Sequence, residues 1–193
     1  MDLLLSLLVF VVGAYSLLIT IRAMLQVMRV SPTNSVAQAI SRATDPTLQS
    51  LRRKLGSFQR IDIASVVVCL LLESAITASN LFFYQPDAIN SPAGFAMVTL
   101  LLGAIGVLSN IGMILIVLLI VRVVFSFIPV QSSSWTSLII EASNTVLRLF
   151  SRFNLQIGPI DLMPGVLLLL LYFGLQLLSQ FTQGILSSGL LGN

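Results

Sequence analysis

A few polar side chains inside long apolar stretches are the residues of this chain best placed to do chemistry. Glu73 follows Asp62 by eleven residues, which in a helix carries its carboxyl group about 17 Å along the axis, near the middle of a bilayer. Asn110 precedes Arg122 by twelve residues and reaches the same depth from the other direction. Ionisable side chains at that depth usually mark a functional site. The candidate intramembrane site is formed by Glu73, Asn110, Tyr172 and Gln176.

Three interpretations of Glu73 remain open at the level of sequence. The carboxyl group could be protonated and hydrogen bonded to Asn110 or Tyr172, which would make it part of the scaffold. It could instead bind or pass a cation or a proton, as intramembrane carboxylates do in pumps and transporters. It could also lie in a contact between copies of the chain.

Enzyme chemistry has little support in the sequence. The chain has no histidine, and its single cysteine, Cys69, lies inside an apolar stretch, so the commonest metal ligand and general base is missing. It contains no phosphate-binding glycine motif, nucleophile elbow or metal-ligand cluster, and Gly103, Gly106 and Gly112 indicate helix packing. The sequence therefore predicts a protein that is not an enzyme and that holds no cofactor and no metal.

The elements that position these residues must be membrane-spanning helices. Of the 193 residues, 56% are hydrophobic and 9% are charged, whereas a soluble domain carries about 25% charged residues. A spanning helix needs about 20 apolar residues, and four stretches qualify, residues 3–21, 63–83, 95–121 and 162–183. The sequence therefore predicts an all-α membrane protein with four transmembrane helices.

The basic residues indicate how these helices are oriented. Seven of them lie in the first connection and three in the third, while the middle connection, near Tyr84 to Ala93, has none. Because connections rich in lysine and arginine stay in the cytoplasm, the first and third connections are predicted to be cytoplasmic. Both termini are then outside.

The chain also resembles itself at a shift of about one hundred residues. Arg22 aligns with Arg122 at a shift of one hundred, and Asp62 with Asp161 at ninety-nine. Each copy contains two spans, so we predict two parallel repeats, residues 1–90 and 91–193. Residues that belong to the scaffold should occur in both copies. Those predicted here are Arg22, Arg122, Asp45, Pro46, Asp62 and Asp161.

Each basic connection is patterned as an amphipathic helical hairpin on the cytoplasmic side. In the first, Asn34 or Ser35 can cap one helix, and Asp45 with Pro46 can begin a second. The basic faces of the two hairpins suit anionic lipid head groups, or alternatively a cytoplasmic partner. Nucleic acid is not expected, because the aromatic residues share the apolar faces. The predicted basic platform consists of Arg52, Arg53, Lys54, Arg148 and Arg152.

Each span carries one stripe of small or polar residues among its leucines. Such stripes lie where transmembrane helices approach closely and hydrogen bond, so four inward-facing stripes predict a compact four-helix bundle. The stripes are Ser6, Gly13, Ser16 and Thr20; Ser65, Cys69, Glu73 and Asn80; Thr99, Gly103, Gly106 and Asn110; and Gly165, Tyr172, Gln176, Gln180 and Gln183.

These motifs resemble those of the YggT family of bacterial integral membrane proteins, in its two-repeat form, over nearly the whole chain. The resemblance rests on Arg22, Pro32, Asn34, Asp45-Pro46, Arg52-Arg53, Ile61-Asp62-Ile63-Ala64 and Ile160-Asp161-Leu162-Met163-Pro164. The second copy departs from the pattern, with Asn144-Thr145 in place of Asp-Pro and one arginine in place of the basic triplet. The resemblance implies an inner-membrane location, an association with osmotic-stress tolerance, and relatives linked to cell or organelle division. It implies no enzymatic reaction.

Two functions from different classes follow. One is a membrane scaffold or assembly factor that presents the basic hairpins to lipid and to a membrane or cytoplasmic protein. The other is an ion or osmolyte conduit for a cation or proton, with Glu73 at the midplane. A bundle of four helices is narrow, so a conduit would require a homo-oligomer.

Overall fold

The computed structural model describes residues 3–55, 62–84, 92–128, 131–150, 156–157 and 160–187. Within these ranges the chain is almost entirely helical. The elements are α1 (Leu3–Val27), α2 (Ser35–Leu55), α3 (Ile63–Tyr84), α4 (Pro92–Phe127), α5 (Ser134–Leu149), β1 (Gln156–Ile157), β2 (Ile160–Asp161) and α6 (Met163–Ser187). The two short strands pair antiparallel, with Ile157 opposite Ile160. The helix α6 begins two residues after β2.

Four of the helices are long and apolar enough to cross a membrane: α1, α3, α4 and α6. The prediction of four spans is therefore confirmed, and each helix covers its predicted stretch to within one residue. All four run further than predicted, and the longest overruns are the six residues that α1 and α4 each add at their C-terminal ends. The helix α1 continues six residues beyond Ile21, and the 36 residues of α4 correspond to about 54 Å of helix. Both extensions lie at the end of the bundle that carries α2 and α5, here called the basic end.

The spans pack in the order α1, α3, α4, α6. The contact between α3 and α4 is close because Gly103 has no side chain. A Cβ at that position would lie 2.8 Å from the backbone nitrogen of Ser74 and 2.9 Å from its Cα. Small residues allow transmembrane backbones to approach in this way, and the predicted packing role of Gly103 is confirmed.

The predicted hairpin in the first connection is wrong. Ser35–Leu55 is one continuous helix with Pro46 inside it, so Asp45 does not cap a second helix. An internal proline costs a helix about 3 kcal/mol, and contacts on both sides of Pro46 offset this cost. Asp45 pairs with Arg22 from α1, and Leu48 is completely buried against the spans. The prediction that Asn34 caps α2 is confirmed, since its Oδ1 accepts from the backbone N–H of Val36 at 2.9 Å.

The third connection contains one helix, α5, whose N-cap is Ser133. Val146 and Leu149, which were predicted for the second arm of its hairpin, continue α5 instead, and Arg152 and Phe153 lie outside the described residues. The helices α2 and α5 share a small apolar core with the end of α1. Its buried members are Leu25, Met28, Val30, Val36, Leu138, Ala142 and Val146. This core explains why α1 continues beyond the predicted boundary.

Between α1 and α2 the chain turns in a Schellman motif. Arg29 adopts a left-handed conformation, with φ at 56°. The N–H of Val30 donates to the carbonyl oxygen of Leu25 at 3.1 Å, and the N–H of Arg29 to that of Gln26 at 3.2 Å. These are the two bonds that define the motif, and glycine is the residue usually found at the left-handed position.

Candidate functional site

The predicted intramembrane site exists around Glu73, with a composition that differs in part from the prediction. The Oε1 atom of Glu73 accepts a hydrogen bond from Nδ2 of Asn110 at 2.8 Å. It accepts a second from Oγ of Ser16 at 2.7 Å. The predicted contact of Glu73 with Asn110 is therefore confirmed. Ser16, Glu73 and Asn110, from α1, α3 and α4, are here called the midplane cluster.

Space for the Glu73 carboxyl group is made by a glycine. A Cβ at Gly106 would lie 2.8 Å from Glu73 Oε2, so any side chain at that position would displace the carboxyl group. On the other side, Thr20 Oγ1 donates to the carbonyl oxygen of Ser16 at 2.9 Å and lies 3.4 Å from the sulfur of Cys69. The stripes predicted for α1, α3 and α4 therefore meet around one carboxyl group.

Tyr172 and Gln176 do not belong to the midplane cluster. Both are exposed on α6, and Tyr172 keeps 57% of its surface. The residues of the predicted polar stripe of α6 from Tyr172 onwards share an exposed face at helical spacing, and that face points away from the bundle. The prediction of four inward stripes is thus wrong for α6, which packs instead through an apolar side that includes Leu167 and Ile185. Tyr172 occupies the position equivalent to Glu73 in the second repeat, and its side chain is exposed instead of lying among the spans.

The role of Ser16 was missed at the level of sequence, although Ser16 belongs to the stripe predicted for α1. One serine in an apolar helix carries no sign of its partner, because that partner lies 57 positions away. The signal that could have identified it is its spacing from Thr20, which places both hydroxyl groups on the face that meets α3.

A second polar group lies at the basic end and joins four of the predicted residues. Arg22 reaches Asp45 with Nη2 at 2.5 Å, and its Nη1 donates to the carbonyl oxygen of Ser41 at 2.9 Å. Arg52 lies 3.5 Å from the same Asp45 carboxylate and donates from Nε to Oδ2 of Asp62 at 2.8 Å. Arg22, Asp45, Arg52 and Asp62 are here called the boundary network. Within the network Arg22 pairs with Asp45, whereas Arg52 contacts both Asp45 and Asp62.

Burial and the ion pair with Arg52 shift the pKa of Asp62 in opposite directions. Burial raises the pKa of this carboxyl, but hydrogen bonds from Arg52 and Ser65 and the positive charge of Arg52 outweigh it, so the pKa lies below its ordinary value. The hydrogen bond to Asp62 is the main reason that the pKa of Arg52 is raised. Both groups are therefore charged at neutral pH. Asp62 also precedes the first turn of α3, where its carbonyl oxygen accepts from Val66 at 3.2 Å, so its predicted capping position is confirmed.

A basic cavity of about 830 Å³ opens beside this network, between α1 and α2. Its charged lining residues are Arg22, Arg42, Arg52 and Asp62. Asp45 and Asp62 balance Arg22 and Arg52, so Arg42 supplies the surplus positive charge that favours an anion, and guanidinium groups bind phosphate with paired hydrogen bonds. An apolar cavity of about 660 Å³ lies nearby among the spans and also touches Asp62. Neither cavity could be predicted from the sequence, because their linings come from separate elements.

The equivalent residues of the second copy make a weaker contact. Arg122 donates from Nη2 to Oδ1 of Asn144 at 3.4 Å, at the positions that the sequence aligns with Arg22 and Asp45. An amide replaces the carboxylate, so the contact is not an ion pair. Asp161 lies in β2, and its side chain is outside the described part of the structure.

The residues of the predicted basic platform are not equivalent. Arg52 belongs to the boundary network, whereas Arg53, Lys54 and Arg148 are exposed. Arg152 lies outside the described residues. The sequence could not separate these roles, because Arg52 and Arg53 are identical neighbours that differ only in the direction of their side chains around α2.

Comparison with known proteins adds family membership to this geometry. The chain is 28% identical over 183 residues to "Uncharacterized protein YggT" of Escherichia coli (strain K12), covering 93% of both chains. It is 29% identical over 151 residues to "Uncharacterized protein PA0392" of Pseudomonas aeruginosa, covering 78% of this chain and 75% of that one. No solved structure matches the chain. The family model described as CCB3/YggT matches residues 1–79 and 101–182. The chain therefore belongs to the CCB3/YggT family of proteins.

Proposed function

We propose that this chain is a non-enzymatic multi-pass protein of the bacterial inner membrane that acts as a scaffold or assembly factor. It would present α2 and α5 at the cytoplasmic surface to anionic lipid and to a protein partner. The observation that carries the proposal is the firm connection of these two helices to each other and to the spans. A rigid, charged layer of this kind suits the docking of other molecules.

Three contacts make that connection between distant parts of the chain. Nδ2 of Asn34 donates to the carbonyl oxygen of Ser134 at 2.7 Å and to Oγ of Ser137 at 3.0 Å. The N–H of Ser31 donates to Oε2 of Glu141 at 2.8 Å. In addition, Thr145 Oγ1 donates to the carbonyl oxygen of Met28 at 2.7 Å. Together with the shared apolar core, these bonds join the first connection to the third.

The exposed basic residues of α2 and α5 support a partner with a negatively charged surface. Arg42, Arg53, Lys54 and Arg148 are exposed, and a basic side chain near an anionic leaflet contributes about 1 kcal/mol to binding. The basic cavity adds a place where a head-group phosphate could be held by Arg42. The associations with osmotic stress and with division, which the family resemblance implies, are compatible with a scaffold. They do not identify its partner.

The proposal is tested by photo-crosslinking in living cells. A photoreactive amino acid at position 54 should give discrete protein adducts, whereas the same group at Phe173, on the exposed apolar side of α6, should give only lipid adducts. Replacing Arg53 and Arg148 with Gln should reduce the protein adducts at least about fivefold, because two surface charges near 1 kcal/mol each are lost. Equal adducts at both positions would contradict a role for the basic layer.

A cation or proton conduit remains the second candidate, because Glu73 is an intramembrane carboxyl group where three helices meet. The test is flux of K⁺, Na⁺ and H⁺ through purified protein in liposomes. Glu73→Gln keeps shape and hydrogen bonding while removing the charge. Glu141→Gln is the matched control, since Glu141 is the other glutamate of the sequence and lies outside the predicted spans. Flux lost only in Glu73→Gln would support the conduit, and no flux above empty vesicles would exclude it.

A further inference from the structure

The polar stripe of α6 lies on the outside of the bundle, where a membrane protein normally presents only apolar side chains. Tyr172, Gln176, Gln180 and Gln183 are all exposed. They follow one another at steps of four, four and three residues, so they share one face of the helix. The neighbouring exposed side is apolar and suits lipid. Its residues are Val166, Leu170, Phe173, Leu177 and Phe181.

The depth of these amides makes their exposure unfavourable. Counted from Met163, Gln176 lies about 20 Å and Gln180 about 26 Å along the helix, so both fall within the roughly 30 Å of hydrocarbon. No side chain or backbone group in the described ranges hydrogen bonds to the amides of Gln176, Gln180 or Gln183. Hydrocarbon offers no hydrogen-bonding partner, so each unpaired amide there is costly.

The helix α6 is also the least covered of the four spans. Only 6% of its apolar stretch is buried, compared with 17% for α1 and α3 and 11% for α4. Its glycines Gly165 and Gly184 have no atom within 4 Å of the place where a Cβ would be. Those of α4 behave differently, since a Cβ at Gly103 or Gly106 would meet α3 within 3 Å. Small residues with open space beside a polar stripe are typical of a surface that another helix covers.

We propose that the polar stripe of α6 is a homodimer interface, in which α6 of a second copy packs against it in parallel. Two copies inserted in the same orientation are related by a two-fold axis along the membrane normal, so equivalent residues meet at equal depth. A glutamine amide has both donors and an acceptor, and Gln176 can therefore pair with Gln176 of the other copy. Gln180 is supplied with a partner in the same way.

A second copy fits this surface better than an unrelated helix does. The stripe contains no charged residue, so two copies meet without repulsion. An unrelated partner would have to provide amides or hydroxyl groups at the same spacing and depth, whereas symmetry guarantees them for a second copy. The interface lies on α6 and the basic platform on α2 and α5, so this inference does not depend on the proposed scaffold function.

Cysteine crosslinking tests the interface directly, because Cys69 is the only native cysteine and is buried. In a Cys69→Ser background, single cysteines replace Gln176, Gln180 or Gln183, with Phe173 and Leu177 as controls on the apolar side of the same helix. Oxidation in native membranes should give disulfide-linked dimers from the stripe at least about tenfold faster than from the controls. If Cys69→Ser does not fold, Cys69→Ala serves as the background.

The result that overturns the proposal is equal crosslinking from both sides, or none from the stripe in folded protein. Crosslinks from the stripe to a different protein overturn it as well, since they assign the surface to a partner. A second measurement follows dimerisation by energy transfer between labelled copies diluted in liposomes. Gln176→Leu with Gln180→Leu should weaken dimerisation by about tenfold, whereas Leu177→Ala should leave it unchanged. Dimerisation unaffected by the double glutamine variant would also contradict the interface.

Discussion

At the scale of single residues, the carboxyl groups of the partly buried Glu73 and the buried Asp62 are held by different kinds of partner. Glu73 accepts from the neutral donors Ser16 and Asn110, whereas Asp62 accepts from Arg52 and from the hydroxyl of Ser65 at 2.9 Å. Neutral donors suit a group in the membrane interior, where a full ion pair is costly to bury. Asp62 lies at the basic end, where the partly exposed Arg52 can remain charged. Its contribution to stability should therefore depend on pH.

We expect Asp62→Asn to destabilise the protein by about 1–3 kcal/mol at neutral pH, because Arg52 loses the closer of its two charged partners. The folded-state pKa of Asp62 is lowered, so its contribution is complete above the unfolded-state value of about 4 and is lost as the pH falls below it. The measurement is thermal loss of helical circular dichroism in detergent at pH 7, 5 and 3. The gap between wild type and variant should be the same at pH 7 and pH 5 and should narrow at pH 3, because it is lost only as the pH falls through the lowered folded-state pKa.

Ser65→Ala is the graded control, because it removes one neutral donor and leaves the ion pair. Ser65→Ala should also destabilise the protein, by less than Asp62→Asn does. A gap between wild type and Asp62→Asn that is unchanged at pH 3 would show that shape rather than charge is responsible.

At the scale of elements, two glycines of similar sequence context are expected to behave in opposite ways. Gly103→Ala would bring a Cβ within 3 Å of the Ser74 backbone, so α3 and α4 must separate, at a cost of about 1–3 kcal/mol. Gly174→Ala meets nothing within 4 Å and should gain up to about 1 kcal/mol from helix propensity. The midpoint of unfolding in a detergent titration measures both. Equal shifts would rule out close packing of α3 against α4.

The turn after α1 gives a second prediction at this scale. A non-glycine residue in the left-handed region costs about 1–2 kcal/mol, and Arg29 has a φ of 56°. Arg29→Gly should therefore raise the melting temperature by about 2–4 °C. Arg29→Ala removes the same charge without relieving the backbone, so it should give no such gain. The two variants separate charge from conformation, and equal melting temperatures would mean that the conformation is not strained.

The elements also show which features a sequence can reveal. The four spans were predicted because a run of about 20 apolar residues is visible locally. The continuity of α2 through Pro46 is not evident in the sequence, because the contacts that stabilise it are long-range. Asp45 pairs with Arg22 of α1, and Leu48 is buried against the spans. The same holds for α6. Its polar stripe is evident in the sequence, but whether the stripe faces the bundle or the surroundings depends on which side packs against α4.

At the scale of the whole molecule, the basic residues are unevenly distributed along the chain. All ten fall between Arg22 and Arg60 or between Arg122 and Arg152 in the sequence. We therefore expect α2 and α5 in the cytoplasm and the start of α1 and the end of α6 outside. An impermeant maleimide should label a cysteine at Ser187 on intact cells, or spheroplasts where an outer membrane intervenes. A cysteine at Lys54 should be labelled only after permeabilisation, and the reverse pattern would contradict this orientation.

The contrast between the ion pair of Arg22 with Asp45 and the neutral contact of Arg122 with Asn144 has an evolutionary consequence. If the two halves descend from one duplicated ancestor, these equivalent positions have diverged, with a carboxylate in the first half and an amide in the second. We therefore expect position 45 to tolerate substitution less well than position 144. Asp45→Asn, which imposes the second half's chemistry on the first, should be harmful in a growth competition. Asn144→Asp, which imposes the first half's chemistry on the second, should be tolerated.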